Sequence, residues 1–143
     1  MNEKNNVFVV IDTNVLVSAL YSKNKSSNPS IILNKIFDGS IIPLYNKEIL
    51  KEYQEVLSRA KFNFPKVLID RIISYFLNNG IAIERAEILS ISFPDPDDIV
   101  FYEVKMGLED SYLVTGNIKH FPKEPYIVTP AEFILILKKF NIL

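Results

Sequence analysis

The strongest constraint on the fold is an uninterrupted apolar run near the N-terminus. Residues 7–11 read Val-Phe-Val-Val-Ile and contain only β-branched and aromatic side chains. A strand with one face in water alternates apolar and polar residues, whereas a continuous run is typical of a strand buried on both faces in a parallel sheet. Asp12 ends this run. The segment therefore predicts a buried strand of an α/β domain.

Strands and helices alternate along the rest of the chain. Apolar runs predict further strands at residues 41–45, 81–83, 88–91, 112–115 and 126–128. Periodic apolar positions, caps and stop signals predict helices at residues 13–21, 26–37, 47–59, 65–77, 98–106 and 130–140. Asn46 is a predicted N-cap, and Thr129 to Glu132 resemble a capping box. The alternation predicts one three-layer α/β/α domain around a mainly parallel sheet, covering residues 1–143.

The composition supports a single compact domain and excludes some chemistry. The 143 residues are 48% hydrophobic and 23% charged, which is typical of a globular chain. The absence of cysteine excludes disulfides, thiolate nucleophiles and thiolate-bound zinc. No segment approaches the roughly 18 apolar residues of a membrane span, so we expect a cytoplasmic protein that does not enter the membrane. The net charge of −1 argues against a strongly basic coat for nucleic acid, without excluding local patches.

Acidic residues occur where an open parallel sheet usually carries its function, beyond the carboxyl ends of the strands. Asp12 directly follows the first strand, although it could simply cap the helix that begins near Asn14. On the helix after residue 46, Glu52 lies about 100° from the apolar face, and Glu48 and Glu55 lie about 140° and 160° from it. Glu52 is therefore the candidate of the three, or else an ordinary boundary residue paired with a lysine.

Three further acids, Asp95, Asp97 and Asp98, fall within four residues at a predicted helix start. Their mutual repulsion costs stability unless a cation or the helix dipole offsets it, although they could form a solvated cap. Asp98 shares a helix face with Phe101 and Tyr102, three and four residues later, and is expected to point inward. Carboxylates from separate elements, without cysteine, suggest oxygen ligands for Mg²⁺ or Mn²⁺. Such ions stabilise charge on a phosphate undergoing displacement.

Four segments together resemble the PIN-domain nucleases. They are VVIDTNVLVSAL at residues 9–20, EILKEYQEVLSR at 48–59, DPDDIVFYEV at 95–104 and YLVTGN at 112–117. The set resembles the branch of toxins from toxin–antitoxin systems that is related to VapC-type ribonucleases. This resemblance implies hydrolysis of RNA with Mg²⁺ or Mn²⁺, leaving a 5′-phosphate. It also implies a homodimer that is blocked by a small antitoxin protein.

The resemblance assigns roles to individual residues. Asp12, Glu52 and Asp98 match the three catalytic acids, and Asp95 matches a further acidic position of the branch. Asn117 stands where relatives often carry a fourth acid, and its amide oxygen could still bind a metal or a water. An amide adds no negative charge, so a second metal is less well supported than one.

Other residues are candidates for supporting roles. Thr115 matches the small hydroxyl residue before the fourth acid, and Asn14 is a second possible supporting residue. Lys23 and Lys25 follow the first helix, and Lys119 and His120 follow Asn117, so both pairs are possible RNA contacts. Surface lysines more often only aid solubility, and a histidine beside Phe121 is more often structural.

Two other functions compete with this interpretation. Asn117 keeps open an inactive PIN-like protein that only binds nucleic acid or a partner. A haloacid-dehalogenase type of phosphohydrolase also begins with an aspartate after its first strand. That family resembles Asp-x-Asp-x-Thr, whereas residues 12–14 here are Asp-Thr-Asn, without the second acid. No G-x-G-x-x-G follows any predicted strand, so dinucleotide binding has less support.

Overall fold

A computed structural model describes residues 6–84 and 95–143, and within them the strands form one parallel sheet. The strand order is β3-β2-β1-β4-β5. Every strand pair is parallel. The strands are Val7–Ile11 (β1), Ile41–Tyr45 (β2), Ile81–Ala82 (β3), Ser111–Val114 (β4) and Ile127–Val128 (β5). The strand predicted at residues 88–91 lies outside the described residues.

Helices connect the strands in the described residues, as the sequence pattern predicts. They are Thr13–Tyr21 (α1), Asn28–Phe37 (α2), Lys47–Leu57 (α3), Lys66–Asn79 (α4), Ile99–Met106 (α5) and Pro130–Lys139 (α6). Two short 3-10 turns occur at Pro96–Asp98 and Ile118–His120. The predicted three-layer α/β/α fold is confirmed. Over residues 6–84 and 95–143, no helix combines the length and the apolarity needed to cross a bilayer.

The predicted buried strand lies in the middle of the sheet. Val9, Val10 and Ile11 are almost completely buried, because β1 has a strand on each side and helices on both faces. The register aligns Ile11 with Val114 of β4. The Asp12 backbone N–H continues this ladder by donating to the Val114 carbonyl at 3.0 Å. The residues that follow β1 and β4 are consequently neighbours at the carboxyl edge of the sheet.

The helix starts follow local capping chemistry. The Asn46 side chain accepts from the Ile49 N–H at 2.8 Å, so the predicted N-cap is confirmed. The predicted capping box at the start of α6 is also confirmed, with reciprocal bonds between Thr129 and Glu132. Pro29 lies in the first turn of α2, where its missing N–H costs no hydrogen bond. Local sequence signals therefore account for where α2, α3 and α6 begin.

Candidate functional site

Asp12 is the first residue after β1, and its carboxylate is held by two side chains. Asp12 is only 4% exposed. It occupies the N-cap position of α1, but its side chain makes no cap hydrogen bond. Its Oδ2 instead accepts from Thr115 Oγ1 at 2.7 Å and from Asn14 Nδ2 at 3.2 Å. Asp12 is therefore more than a helix cap, since its carboxylate is fixed towards the end of β4.

The turn after β4 also holds Asp12 and Asn14 in place through hydrogen bonds. Thr115 is fully buried, and its hydroxyl accepts from the Asn117 backbone N–H at 2.9 Å while it donates to Asp12. The Gly116 N–H donates to Asn14 Oδ1 at 3.0 Å. A Cβ at Gly116 would lie 3.2 Å from that oxygen, so glycine allows the close approach. Both residues proposed as supporting, Thr115 and Asn14, thus contact Asp12 directly.

Glu52 reaches the same edge from α3. Its Oε2 accepts a hydrogen bond from the Thr13 hydroxyl, the residue next to Asp12. Glu52 is half-buried, whereas Glu55 on the same helix is exposed. The alternative interpretation pairs Glu52 with a lysine, whereas in the structure its partner is the Thr13 hydroxyl.

Asp98 lies where the Pro96–Asp98 turn meets α5, and it is buried as predicted. Its Oδ2 is 3.1 Å from His120 Nδ1. Asp95 and Asp97 are exposed, and Asp95 Oδ1 accepts from the Asp97 N–H at 3.0 Å. The solvated-cap interpretation therefore fits Asp95 and Asp97. Asp98 is the acid of this turn that faces the interior.

The acids raise one another's pKa values, which shows that they share one electrostatic environment. Burial, and then the charge of Asp98, raise the pKa of Asp12 to about 6, against the lowering effect of its hydrogen bonds. Burial also raises the pKa of Glu52, with a contribution from Asp12. Burial raises the pKa of Asp98, and the hydrogen bond from His120 opposes that change. We refer to Asp12, Glu52 and Asp98 as the acidic edge.

In each carboxylate of the acidic edge, one oxygen takes the side-chain hydrogen bonds. Asp12 Oδ2, Glu52 Oε2 and Asp98 Oδ2 take the side-chain hydrogen bonds described above. Among the described residues, no side chain donates to their second oxygens. Buried carboxylate oxygens with mutual repulsion fit a hard divalent cation, which would offset that repulsion. No three Asp, Glu or His side chains of residues 6–84 and 95–143 form a group that could surround an ion, so at most two would reach one ion in this arrangement.

The remaining predicted residues differ in how close they come to the acidic edge. Asn117 and Lys119 are exposed in the turn after β4, and the side-chain amide of Asn117 makes no cap hydrogen bond to the Ile118–His120 turn that follows it. Lys23 and Lys25 are exposed beyond the far end of α1. Of the four possible RNA contacts, His120 alone touches an acid of the acidic edge among the described residues.

Two residues of the site were not predicted as part of it. Thr13 donates to Glu52, and the buried Tyr53 hydroxyl donates to the Ile11 carbonyl. Burial, followed by the charges of Asp12 and Glu52, raises the pKa of Tyr53 well above its usual value. Thr13 could have been suspected because it follows Asp12 directly. Tyr53 could have been suspected because it lies on the apolar face of α3, where its buried hydroxyl needs a hydrogen-bond partner.

Comparison with protein families gives a match to a model described as a PIN domain, over residues 8–119. The matched span contains Asp12, Glu52, Asp98 and Asn117. Neither the curated proteins nor the solved structures contain a match to the chain.

Proposed function

Because the chain belongs to the PIN-domain family, whose members are generally metal-dependent nucleases, we propose that it hydrolyses RNA with Mg²⁺ or Mn²⁺. We further propose that it is the toxin of a type II toxin–antitoxin system. The observation that supports the nuclease function is the acidic edge, in which the carboxylates that follow β1, lie on α3 and precede α5 are each held by a side-chain hydrogen bond and affect one another's pKa values. The RNA substrate and the toxin role rest on the resemblance of residues 9–20, 48–59, 95–104 and 112–117 to the toxin branch.

The residues of the acidic edge have distinct parts in this proposal. Asp12 and Asp98 would hold the metal, and Asp95 is a further candidate ligand. A bound Mg²⁺ or Mn²⁺ would polarise the scissile phosphate and stabilise the charge that develops on it. Glu52 would help to position the ion or the attacking water, and Asn117 would orient a further ligand through its amide. The product would carry a 5′-phosphate, as the resemblance implies.

The donors around the acidic edge would keep the carboxylates in position. Thr115 and Asn14 restrain Asp12, while Thr13 restrains Glu52. His120 restrains Asp98. Such partners orient metal ligands and affect affinity without touching the ion themselves. These hydrogen bonds would limit how far each carboxylate has to move to reach a metal.

A nuclease assay on the wild type and Asp12→Asn tests the proposed function. We expect cleavage of RNA with Mg²⁺ or Mn²⁺, no cleavage with EDTA, and no cleavage by Asp12→Asn under any of these conditions. Both proteins are purified by the same procedure, so that a contaminating nuclease appears in both. Undiminished cleavage by Asp12→Asn would contradict the assignment. Structured and single-stranded RNA are both included, because the target sequence is unknown.

Asn117 favours a second candidate function, an inactive PIN-like protein that binds nucleic acid or a partner. An amide at this position supplies no charge to a second metal. Calorimetric titration with Mn²⁺ separates the two functions. An active enzyme is expected to bind Mn²⁺, and Asn117→Asp is expected to bind it more tightly. Failure of the wild type to bind Mn²⁺ at millimolar concentration, together with absent cleavage, would favour the inactive protein.

The proposed partners follow from the resemblance alone. They are a second copy of the chain and a small antitoxin protein, both acting in the cytoplasm. Light scattering of the purified protein measures the molar mass, and twice the mass of 16.4 kDa is the expected result. A short reading frame overlapping the start of the gene would support the antitoxin.

A further inference from the structure

Three aromatic side chains meet at the far end of α1, away from the acidic edge. Phe62 and Phe64 are stacked, with ring centroids 5.4 Å apart and an angle of 8° between the ring planes. Tyr21 meets both rings in edge arrangements at 6.2 and 6.4 Å. Tyr21 ends α1, while Phe62 and Phe64 lie between α3 and α4. Two chain segments that are distant in sequence therefore build one aromatic surface.

The aromatic surface is open to solvent and carries a basic residue. Tyr21 is 64% exposed. Lys61 Nζ lies 5.0 Å from the centre of the Phe62 ring. A cavity of about 570 Å³ opens beside these residues and is lined by Val17, Ser18, Tyr21, Ser22, Lys61 and Phe62. We name Tyr21, Phe62, Phe64 and Lys61 the aromatic–basic patch.

The chain segments that build the patch are basic, although acids adjoin them in sequence at Asp12, Glu55 and Asp70. Residues 13–34 and 56–69, which contain the patch, include five Lys or Arg residues and no Asp or Glu. The five are Lys23, Lys25, Arg59, Lys61 and Lys66. The chain as a whole has a net charge of −1, so this positive charge is a local concentration rather than a general property. A polyanion is the partner that such a surface attracts most strongly.

Resting on the proposed ribonuclease function, we propose that the aromatic–basic patch binds single-stranded RNA. Tyr21 would stack on a base, and Lys61, with Lys23 and Lys25, would contact phosphates. Unpaired bases stack on exposed aromatic side chains without regard to sequence, and the charged backbone supplies the electrostatic part of binding. The bases of a duplex are stacked and paired, so a duplex offers no free base to Tyr21. The patch would thus select unpaired RNA.

The two surfaces lie at opposite ends of α1. Helix α1 leads from Thr13, beside Asp12, to Tyr21, and its nine residues span about 14 Å at 1.5 Å per residue. Helix α3 carries Glu52 and leads towards Phe62, and α1 packs against α3. A strand with its scissile phosphate at the acidic edge would reach the patch over about four stacked nucleotides, at about 3.4 Å each. One RNA strand is therefore long enough to occupy both surfaces.

An RNA strand fits these observations better than a protein segment does. A peptide docking on aromatic rings would be held mainly by apolar contact, which gives no role to Lys61 over the Phe62 ring or to the basic residues of the adjoining segments. Phosphates on either side of a stacked base use both the ring and the lysines. A protein partner is accordingly an outcome of the test below.

Fluorescence anisotropy with a labelled single-stranded RNA of about 12 nucleotides tests the proposal. EDTA is present, so that binding is measured without cleavage. We expect Tyr21→Ala to weaken binding about tenfold and Tyr21→Phe to bind like the wild type, because phenylalanine keeps the stacking face. An oligomer of the same length without bases should bind wild type and Tyr21→Ala equally. Leu135→Ala removes a side chain of matched exposure, 61%, on α6 and should change nothing.

Lys61→Ala tests the electrostatic part of RNA binding independently, because it leaves the aromatic rings in place. Its affinity should fall for RNA and for the oligomer without bases alike. The slope of log affinity against log salt concentration should become shallower by about 0.7, the contribution of one phosphate contact in a single strand. Unfolding curves confirm that each variant is folded. Lys138→Ala, on α6, is the matched control for loss of one positive charge.

The outcomes separate this proposal from the proposed function. Unchanged RNA affinity in both Tyr21→Ala and Lys61→Ala would overturn the proposal and turn attention to a protein partner for the patch. Equal affinity of the wild type for single-stranded and duplex RNA would overturn it as well. If the wild type and Tyr21→Ala cleave RNA equally well, the nuclease function is supported and the patch is not needed for it. Tyr21-dependent binding without any cleavage would support the patch and contradict the nuclease function.

Discussion

Burial of the Asp12 carboxylate has an energetic cost that its hydrogen bonds offset only in part. Burial and the charge of Asp98 raise the pKa of Asp12 from 3.8 to about 6, although Thr115 and Asn14 both donate to it. The folded chain consequently binds a proton more tightly than the unfolded chain does. The free energy of unfolding therefore falls as the pH rises from about 4 to about 6, and it remains lower above that range.

Replacement of Asp12 by Asn is expected to stabilise the metal-free protein at neutral pH. The change in pKa from 3.8 to about 6 corresponds to about 3 kcal/mol, which is the upper limit of the gain. Urea unfolding in EDTA at about pH 7.5 measures the difference, which should shrink below about pH 4, where wild-type Asp12 is protonated in both states. Equal or lower stability of Asp12→Asn at neutral pH would contradict this electrostatic account.

The positions of the acids could be predicted from the sequence, but their partners could not. Asp12 was identified because it ends a buried strand, and Asp98 because it shares a helix face with two aromatic residues. Thr115 and His120 contact these acids from 103 and 22 residues away in sequence. Helical and strand periodicity gives the face on which a residue lies, but it does not give the neighbour on another element. The contact between Thr13 and Glu52 escaped prediction for the same reason.

Helix α3 places two of its glutamates in different environments. The apolar face of this helix is buried against the rest of the domain through Ile49, Tyr53 and Leu57. Glu52 flanks that face and reaches Thr13, whereas Glu55 points into solvent. The helical periodicity that distinguished these residues in the sequence is the periodicity seen in the structure.

Glu52→Gln and Glu55→Gln form a matched pair on α3. We expect Glu52→Gln to lower kcat/KM for RNA by about 10- to 100-fold, because a carboxylate beside the proposed metal ligands is lost. Glu55→Gln removes the same charge from an exposed position and should retain wild-type activity. Cleavage rates with Mn²⁺, measured on the same RNA, compare the two variants directly. Equal activities would remove Glu52 from the proposed site.

The junction between α4 and β3 depends on a glycine. Gly80 follows α4 directly, and a Cβ there would lie 2.6 Å from the Pro43 carbonyl oxygen and 2.7 Å from that of Phe76. Both contacts are with backbone atoms, so a side chain cannot be accommodated by a change of rotamer. Gly80→Ala is expected to lower the free energy of unfolding by about 1–3 kcal/mol. Ser74→Ala, at an exposed position of α4, is the control in the same urea titration, and equal stability of the two variants would refute the proposed clash.

Whether a segment forms a helix or a strand could be predicted more accurately than the residues at which it begins and ends. The predicted helix at residues 65–77 continues to Asn79, and the predicted strand at 81–83 is reduced to Ile81–Ala82. The strand β3 pairs only with Leu44 and Tyr45, the two residues after Pro43 in β2. In this parallel register the next residue of β3, Ile83, would pair with Asn46, which already caps α3, and this long-range limit is not visible in the β3 sequence itself. The caps, in contrast, depend on neighbouring residues and were predicted correctly at Asn46 and Thr129.

The whole molecule is almost neutral, with 17 Asp and Glu residues against 16 Lys and Arg residues. Asp12, Glu52 and Asp98 lie together at the carboxyl edge of the sheet, whereas Lys61 lies over the Phe62 ring at the aromatic–basic patch. This separation agrees with a protein that binds a cation at one surface and a polyanion at the other. The repulsion within the acidic edge lowers the stability of the metal-free fold, so cation binding and global stability should be coupled.

Divalent cations are therefore expected to raise the melting temperature through Asp98. A ligand at ten times its Kd stabilises the folded state by about 1.4 kcal/mol, which corresponds to about 5 °C for a domain of this size. Differential scanning fluorimetry with increasing Mn²⁺ should show this rise in the wild type. Asp98→Asn should show little rise, because it loses a buried carboxylate of the acidic edge. Asp70→Asn, which removes an exposed acid from α4, should behave like the wild type.

The comparison between Asp98 and Asp70 separates specific binding from general charge screening. Screening by Mn²⁺ depends on the net charge, which changes equally in both variants, so it would shift the two melting temperatures by the same amount. Binding at the acidic edge depends on one buried carboxylate and would shift them differently. Equal shifts in Asp98→Asn and Asp70→Asn would therefore contradict a metal site at the carboxyl edge, even if the wild type were stabilised.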